Sequence, residues 1–252
     1  MPPIAPETLA LLMALVFVVA AAYASVGHGG ASGYLAVLSF FGFAPAVMAP
    51  GALLLNLIVA GMSFTSYWRA GHFAPRLLWP FLLTSVPFAF VGGLLPVAAH
   101  VYIVLLAAVL LFSAYRLIAV RSQAAEESLL KPPRLIVALP VGAAIGLLSG
   151  MVGVGGGIFL SPLILLLGWA DAKRTAAASA AFIWINSAAG LYGHLSRNMP
   201  DWNLLVWLVG AAAAGGALGS WLGARRLTGL WLRRVLGVVL ILAAVKLLRA
   251  AM

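Results

Sequence analysis

The chain has no cysteine, and only five of its 252 residues are acidic. Without cysteine there is no disulfide, no thiolate metal site and no thiol chemistry. Charged residues of both signs make up only 8% of the chain and apolar residues 64%, with a mean hydropathy of +1.12. Soluble domains average about 25% charged and 45–50% apolar, so neither a water-soluble enzyme nor a disordered chain fits. A membrane β-barrel is also excluded, since its strands alternate in polarity over about ten residues, whereas the apolar runs here continue for twenty. What remains is an all-α polytopic membrane protein.

The placement of the few acids excludes more. Glu7, Glu126, Glu127, Asp171 and Asp201 all fall in predicted loops or near the amino terminus. No carboxylate is left inside a span for a proton relay or a sodium site, nor a set of hard oxygen ligands for a divalent metal. No nucleotide motif occurs either: the glycine runs lack a following Lys-Ser/Thr, and their spacing fails the dinucleotide fingerprint. No cofactor or metal is expected. Paired carboxylates, a Ser/His/Asp set and a metal cluster are all missing from the spans, which argues against an intramembrane enzyme.

The charge that is present is basic, 15 Lys and Arg giving a net +10. These residues cluster between apolar runs, as in the loops that orient membrane helices, and form no separate basic stripe of the kind nucleic acid requires. The amino-terminal MPPIAPE has no Lys or Arg, so the first apolar segment does not look like a cleaved signal, which needs a positive start. Eight apolar stretches are expected, at 9–43, 45–67, 77–95, 99–119, 135–168, 172–195, 203–224 and 229–248. Most match one helical crossing of about 20 residues. The first and fifth are too long, and each contains a glycine cluster, Gly27-His28-Gly29-Gly30 and Gly153-Val154-Gly155-Gly156-Gly157. Each such glycine weakens a helix by about 1 kcal/mol relative to Ala, so each long stretch is expected to be two helical pieces meeting at a turn.

The two clusters are half a chain apart, Asn56 recurs as Asn186, and the polar segment 120–134 lies between the halves. This predicts two repeats of about five helical pieces, residues 1–122 and 123–252, joined by that linker. If each broken pair returns to the side it entered and the amino terminus is outside, Arg69, Arg76, Arg116, Arg121, Lys131, Arg134, Lys173, Arg174, Arg225, Arg226, Arg233 and Arg234 face the cytoplasm. Only Arg197, Lys246 and Arg249 lie outside. Treating each long stretch as a single crossing splits the bases almost evenly, so the positive-inside rule selects the broken pairs. An odd number of pieces per half then makes the repeats inverted, a transporter arrangement with substrate near the midplane. Both termini are expected on the periplasmic side. Trp68, Trp79, Trp169, Trp202 and Trp231 sit at segment ends, as interfacial anchors do.

A helix restarting after a midplane turn presents free N–H groups and a positive dipole end, which favour an anion. The candidate substrate-binding set is therefore Gly27, His28, Gly29, Gly30, Ser32, Asn56, Gly153, Gly155, Gly156, Gly157, Ser161 and Asn186. The two Asn amides could bind an anion or tie helices together. His28, the one ionisable group near the membrane centre, could carry a proton or simply brace its turn. Gly92, Gly93, Gly215, Gly216, Gly219 and Gly223 are assigned to close helix packing instead. His72, His100 and His194, near segment ends, are assigned to the interface.

The run from Gly150 through Gly153, Gly155, Gly156 and Gly157 to Ser161-Pro162, preceded by Gly146 and Ser149, resembles the signature of the TauE/SafE sulfite exporter family of bacterial inner-membrane permeases, as does the later Gly-Ala-Arg-Arg ending at Arg226. The resemblance implies transport of sulfite, an organosulfonate or a related small anion. The inverted repeats make this a secondary transporter in the bilayer, and coupling to protons through His28 and facilitated diffusion are equally allowed. The residues by themselves also leave an anion-selective channel open.

Overall fold

A computed structural model describes residues 5–119, 130, 132–197, 202–225, 238, 240–242 and 244–249. Arg121, Lys131, most of the 120–134 linker, Arg226, Arg233, Arg234 and Trp231 lie outside the described residues.

The described chain is all helical, and both long apolar stretches are broken at their glycines. Helix α1 (Pro6–Ala24) ends before the first cluster and α2 (Ala31–Phe40) begins after it. In the second half α6 (Leu135–Val152) and α7 (Gly157–Leu166) are divided in the same way. Between them in sequence run α3 (Pro45–Arg69), α4 (Pro75–Leu94) and α5 (Ala99–Ala119), followed after α7 by α8 (Ala172–Leu195) and α9 (Trp202–Arg225). Proline opens α1, α3 and α4, where its missing N–H costs nothing. At 1.5 Å per residue, the ten-residue α2 and α7 each reach about half-way through a bilayer.

Among the described residues five helices are long and apolar enough to cross a membrane: α1, Val47–Arg69 of α3, α4, α6 and α9. The expected stretch 172–195 forms a helix of spanning length, but α8 is not among these five. It is rich in Ala and Ser, and its interior from Thr175 to Ile183 is buried in protein. A helix shielded by its neighbours does not need the apolarity of one that faces lipid.

The two halves interlock. The α3 helix packs on α8 and α9, α4 on α6 and α8, and α1 on α9. Several of these contacts are backbone to backbone. On α6, Gly142, Gly146 and Gly150 lie against the carbonyls of Phe81, Ser85 and Ala89 in α4. On α9, Gly215, Gly219 and Gly223 lie against those of Phe17 and Ala21 in α1 and of Ser25 just after it. A Cβ at any of these positions would collide with a carbonyl oxygen. The four-residue spacing puts each trio on one helix face, letting the axes approach as small residues do in membranes. Gly92 faces the Leu147 carbonyl and Gly93 the Gly190 carbonyl, while Gly216 rests on Val59. The packing glycines of the sequence are thus in close contact.

Candidate functional site

The turns are shaped by glycines that no other residue replaces without strain. Gly27, Gly30, Gly153, Gly155 and Gly156 have φ of 76, 99, 88, 70 and 81°, in the left-handed region that side chains disfavour. Gly27 sits against Ala176, near the start of α8, and Gly153 against Ala49, near the start of α3. Each turn therefore lies against a helix of the opposite half.

Both short helices begin where α3 crosses α8. Asn56, mid-way along α3 and fully buried, joins them. Its Oδ1 accepts from the Ala31 amide at 3.0 Å, capping α2, and its Nδ2 donates to the Val154 carbonyl at 3.2 Å and the Ser187 hydroxyl at 3.3 Å. Gly29 lies directly against Asn56 and Ile183, and a Cβ at Gly155 would meet Asn56, Ser187 and Ile183. The two turns thus share one patch of α3 and α8. Neither α2 nor α7 has a side-chain cap from its own N-cap residue, which is Gly30 in one and Gly156 in the other. The first amides of a helix have no intrahelical acceptor, and those of Ser32, Gly33, Gly157 and Ile158 make no backbone bond to the turns.

Asn186 does not repeat the role of Asn56. Its Nδ2 donates to the Phe182 carbonyl of its own helix at 2.9 Å, and its buried Oδ1 has no partner among the described residues. The glycine clusters are 126 residues apart, which puts Phe182 opposite Asn56 and Asn186 one helical turn beyond. The Phe182 ring lies beside Gly156.

Ser32 faces Tyr23, hydroxyl to hydroxyl at 2.8 Å, and Tyr34 donates to the Gly29 carbonyl at 2.8 Å. His28 reaches the second half. Its Nδ1 is 3.0 Å from the Val26 carbonyl and its Nε2 3.0 Å from Ser161 Oγ, which lies 2.7 Å from Ser179 Oγ. Ser179 and Ser187 are not among the candidates the sequence suggests. Their signal is a four-residue stripe of Thr175, Ser179, Ile183 and Ser187 down one face of an alanine-rich helix. Away from the turns, His194 pairs with the Gly150 carbonyl at 2.8 Å, tying the end of α8 to α6 rather than simply marking an interface. In the α3–α4 loop, partial burial and the nearby Lys173 charge hold His72 below the usual imidazole range.

Residues 12–247 match the family described as sulfite exporter TauE/SafE. The chain belongs to that family. Probable membrane transporter protein y4hK of Sinorhizobium fredii (strain NBRC 101917 / NGR234) is 39% identical over 244 residues, covering 96% of this chain and 98% of its own length. Probable membrane transporter protein YunE of Bacillus subtilis (strain 168) is 29% identical over 112 residues, 44% of this chain and 41% of its own. No solved structure matches. This TauE/SafE member is a multi-pass membrane transporter, not an enzyme.

Proposed function

We propose that this TauE/SafE member is a secondary transporter that carries a small sulfur-containing anion, sulfite or an organosulfonate, across the bacterial inner membrane by alternating access. One observation carries the proposal: Asn56 binds the start of α2 and the carbonyl of Val154 at once, so two helix N-termini lie within one side chain's reach. Their dipoles and free amides favour a negative ligand. Asn56 already occupies the Ala31 amide, and its part is to hold the turns in register. The anion takes the amides of Gly155, Gly156, Gly157 and Ile158, with Ser187 beside them and the Ser32 and Gly33 amides facing from α2. Among the described residues no Asp or Glu lies in a helix interior to repel it.

Rocking of two inverted repeats, 1–122 against 123–252, would open this site to each side in turn. The pairing of Gly27 with Ala176 and of Gly153 with Ala49 supports that duplication, since exchanging the halves maps one contact nearly onto the other. In this topology both termini are periplasmic and the α3–α4 and α7–α8 loops cytoplasmic.

The test is counterflow of labelled sulfite in proteoliposomes. Saturable uptake accelerated by sulfite on the far side supports the transporter. Non-saturating current in a planar bilayer would replace it with an anion channel, and absence of any flux of sulfite or methanesulfonate would remove the substrate class.

A further inference from the structure

Beyond the anion site, a row of polar groups leads away from the first turn and is used by nothing described so far. Half-buried His28 faces Ser161 of α7. Ser161 faces Ser179 of α8, and Thr175 lies one turn further along α8, toward its start. Ser179 is fully buried, and the Thr175 hydroxyl is buried without a partner among the described residues. The half-chain spacing puts Val154, Leu35 and Leu53 opposite His28, Ser161 and Ser179. The row therefore exists on one side of the molecule only, between the first turn and the end of α8 assigned above to the cytoplasm.

The hydrogen-bond directions can be worked out. A carbonyl only accepts, so the contact with Val26 places a hydrogen on His28 Nδ1 and leaves Nε2 bare in the neutral ring. Ser161 must then donate to Nε2. The same hydroxyl has a second acceptor in reach, the Gly157 carbonyl at 2.9 Å, in the first residue of α7. A proton added at Nε2 turns that nitrogen into a donor to Ser161 Oγ, and the Ser161 hydrogen rotates to the Gly157 carbonyl. No bond changes other than the N–H that forms. Loss of the proton reverses both steps.

We propose that His28 is the binding site of a coupling proton, that Ser161 passes its protonation state to the second glycine turn, and that Ser179 and Thr175 form its route to the cytoplasmic side. This rests on the transport function proposed above. A charged His28 beside the turns would also offset the charge of the anion, so that proton and anion favour one another's binding. Ionisable groups on the neighbouring elements have partners of their own. Tyr23 of α1 is held by Ser32, Tyr34 of α2 by the Gly29 carbonyl, and Tyr67 of α3 donates to the Ser25 carbonyl. The described part of α7 has no ionisable side chain, and α8 has none between Thr175 and Ile183. Lys173 donates to the Ala224 carbonyl, Arg174 pairs with Asp171, and Arg225 of α9 lies over the Trp221 ring.

The experiment measures sulfite counterflow at equal pH on both sides, from pH 5.5 to 8, and proton uptake with an internal pH dye. Wild type, His28→Gln, Ser179→Ala and His72→Gln are compared. Sulfite's own titration is common to all four, so differences report the protein. Wild type should take up about one more proton per sulfite than His28→Gln, whose pH profile should be flatter. A gradient of one pH unit should bias wild-type accumulation by about tenfold relative to that variant. Ser179→Ala, in a helix already rich in Ala, should weaken that bias severalfold, while His72→Gln follows wild type. Identical profiles and proton uptake in wild type and His28→Gln overturn the proton site, and a wild-type bias in Ser179→Ala overturns the route. If His28→Gln does not fold, a wild-type bias no larger than that of protein-free vesicles overturns the site by itself. No counterflow in wild type at any pH defeats the transport function instead.

Discussion

Asn56 donates to the carbonyl of Val154, 98 positions away in the chain, from the middle of one buried helix to the glycine turn of the other half. With its other end it accepts from Ala31, so one neutral amide satisfies a donor in one turn and an acceptor in the other. Asn56→Ala would leave both buried groups without partners, at about 1–3 kcal/mol each. Asn56→Asp keeps an acceptor for Ala31 but offers nothing to Val154, and it puts a negative charge where the anion is proposed to sit. Thermal unfolding of the purified variants should show both destabilised. Sulfite counterflow should be lost more completely in Asn56→Asp than its stability alone accounts for. Equal loss in the two variants would remove the electrostatic part of this prediction.

Backbone contact between helices predicts a different contrast within α9. Gly219→Ala drives a Cβ into the Ala21 carbonyl and should cost about 1–3 kcal/mol as the helices separate. Gly210, in the same helix, has nothing within 4 Å of where its Cβ would lie. Gly210→Ala should be neutral or stabilising by up to about 1 kcal/mol, since Ala is the better helix former. Unfolding midpoints in detergent check both, and similar shifts in the same direction would contradict the packing.

These features differ in how far the sequence can reveal them. The broken helices are legible because a stretch too long for one crossing carries glycines a helix tolerates poorly. The packing glycines are legible as small residues at four-residue spacing, though not which helix each meets. The Asn pair misleads, because a four-residue offset looks like recurrence in a sequence yet moves a side chain a full turn. Ser179 and Ser187 escape notice because a serine in a membrane helix commonly bonds back to its own backbone. Only the position of the opposite turn reveals that Ser161 and Ser187 reach across.

Left-handed glycines separate conformation from contact. Gly156 has φ of +81° and would place a Cβ 2.7 Å from Ile145 and 2.8 Å from Phe182, whereas Gly71 has φ of +80° and open space around it. The backbone strain of an Ala is similar at both, about 1–2 kcal/mol. Gly156→Ala and Gly156→Val should still insert but lose sulfite counterflow, while Gly71→Ala should retain it at slightly reduced stability. Full transport by Gly156→Val would show that the second turn does not approach the anion.

His72 gives a pH dependence of stability with a definite sign. Burial, then the Lys173 charge, lowers its pKa in the folded protein below the ordinary 6.5. The unfolded chain therefore takes up this proton more readily, and acid favours unfolding. The stability contribution is intact above 6.5, declines as pH falls through that value toward the lower folded one, and then levels off. Comparing unfolding midpoints from pH 5 to 8 should show a steeper acid decline in wild type than in His72→Gln. Parallel curves would mean that His72 titrates as it does in water.

The absence of cysteine makes the topology directly testable, since any single introduced thiol is the only one in the protein. Gly42, Gly71 and Gly168 are exposed, have positive φ and have nothing within 4 Å of where a Cβ would lie. A thiol at each should react without displacing a neighbour. If each broken pair returns to the side it entered, Gly42→Cys is labelled by a membrane-impermeant maleimide from the periplasmic side. Gly71→Cys and Gly168→Cys are then labelled only from the cytoplasmic side. Were the first long stretch one crossing with the amino terminus still outside, Gly42 and Gly71 would exchange sides. Because α2 and α7 are each only ten residues long, the labelling also reads whether a half-length helix brings the chain back to the face it left. Labelling of Gly42→Cys and Gly168→Cys from the same face would rule out inverted repeats and, with them, the convergence of two oppositely directed turns on one anion.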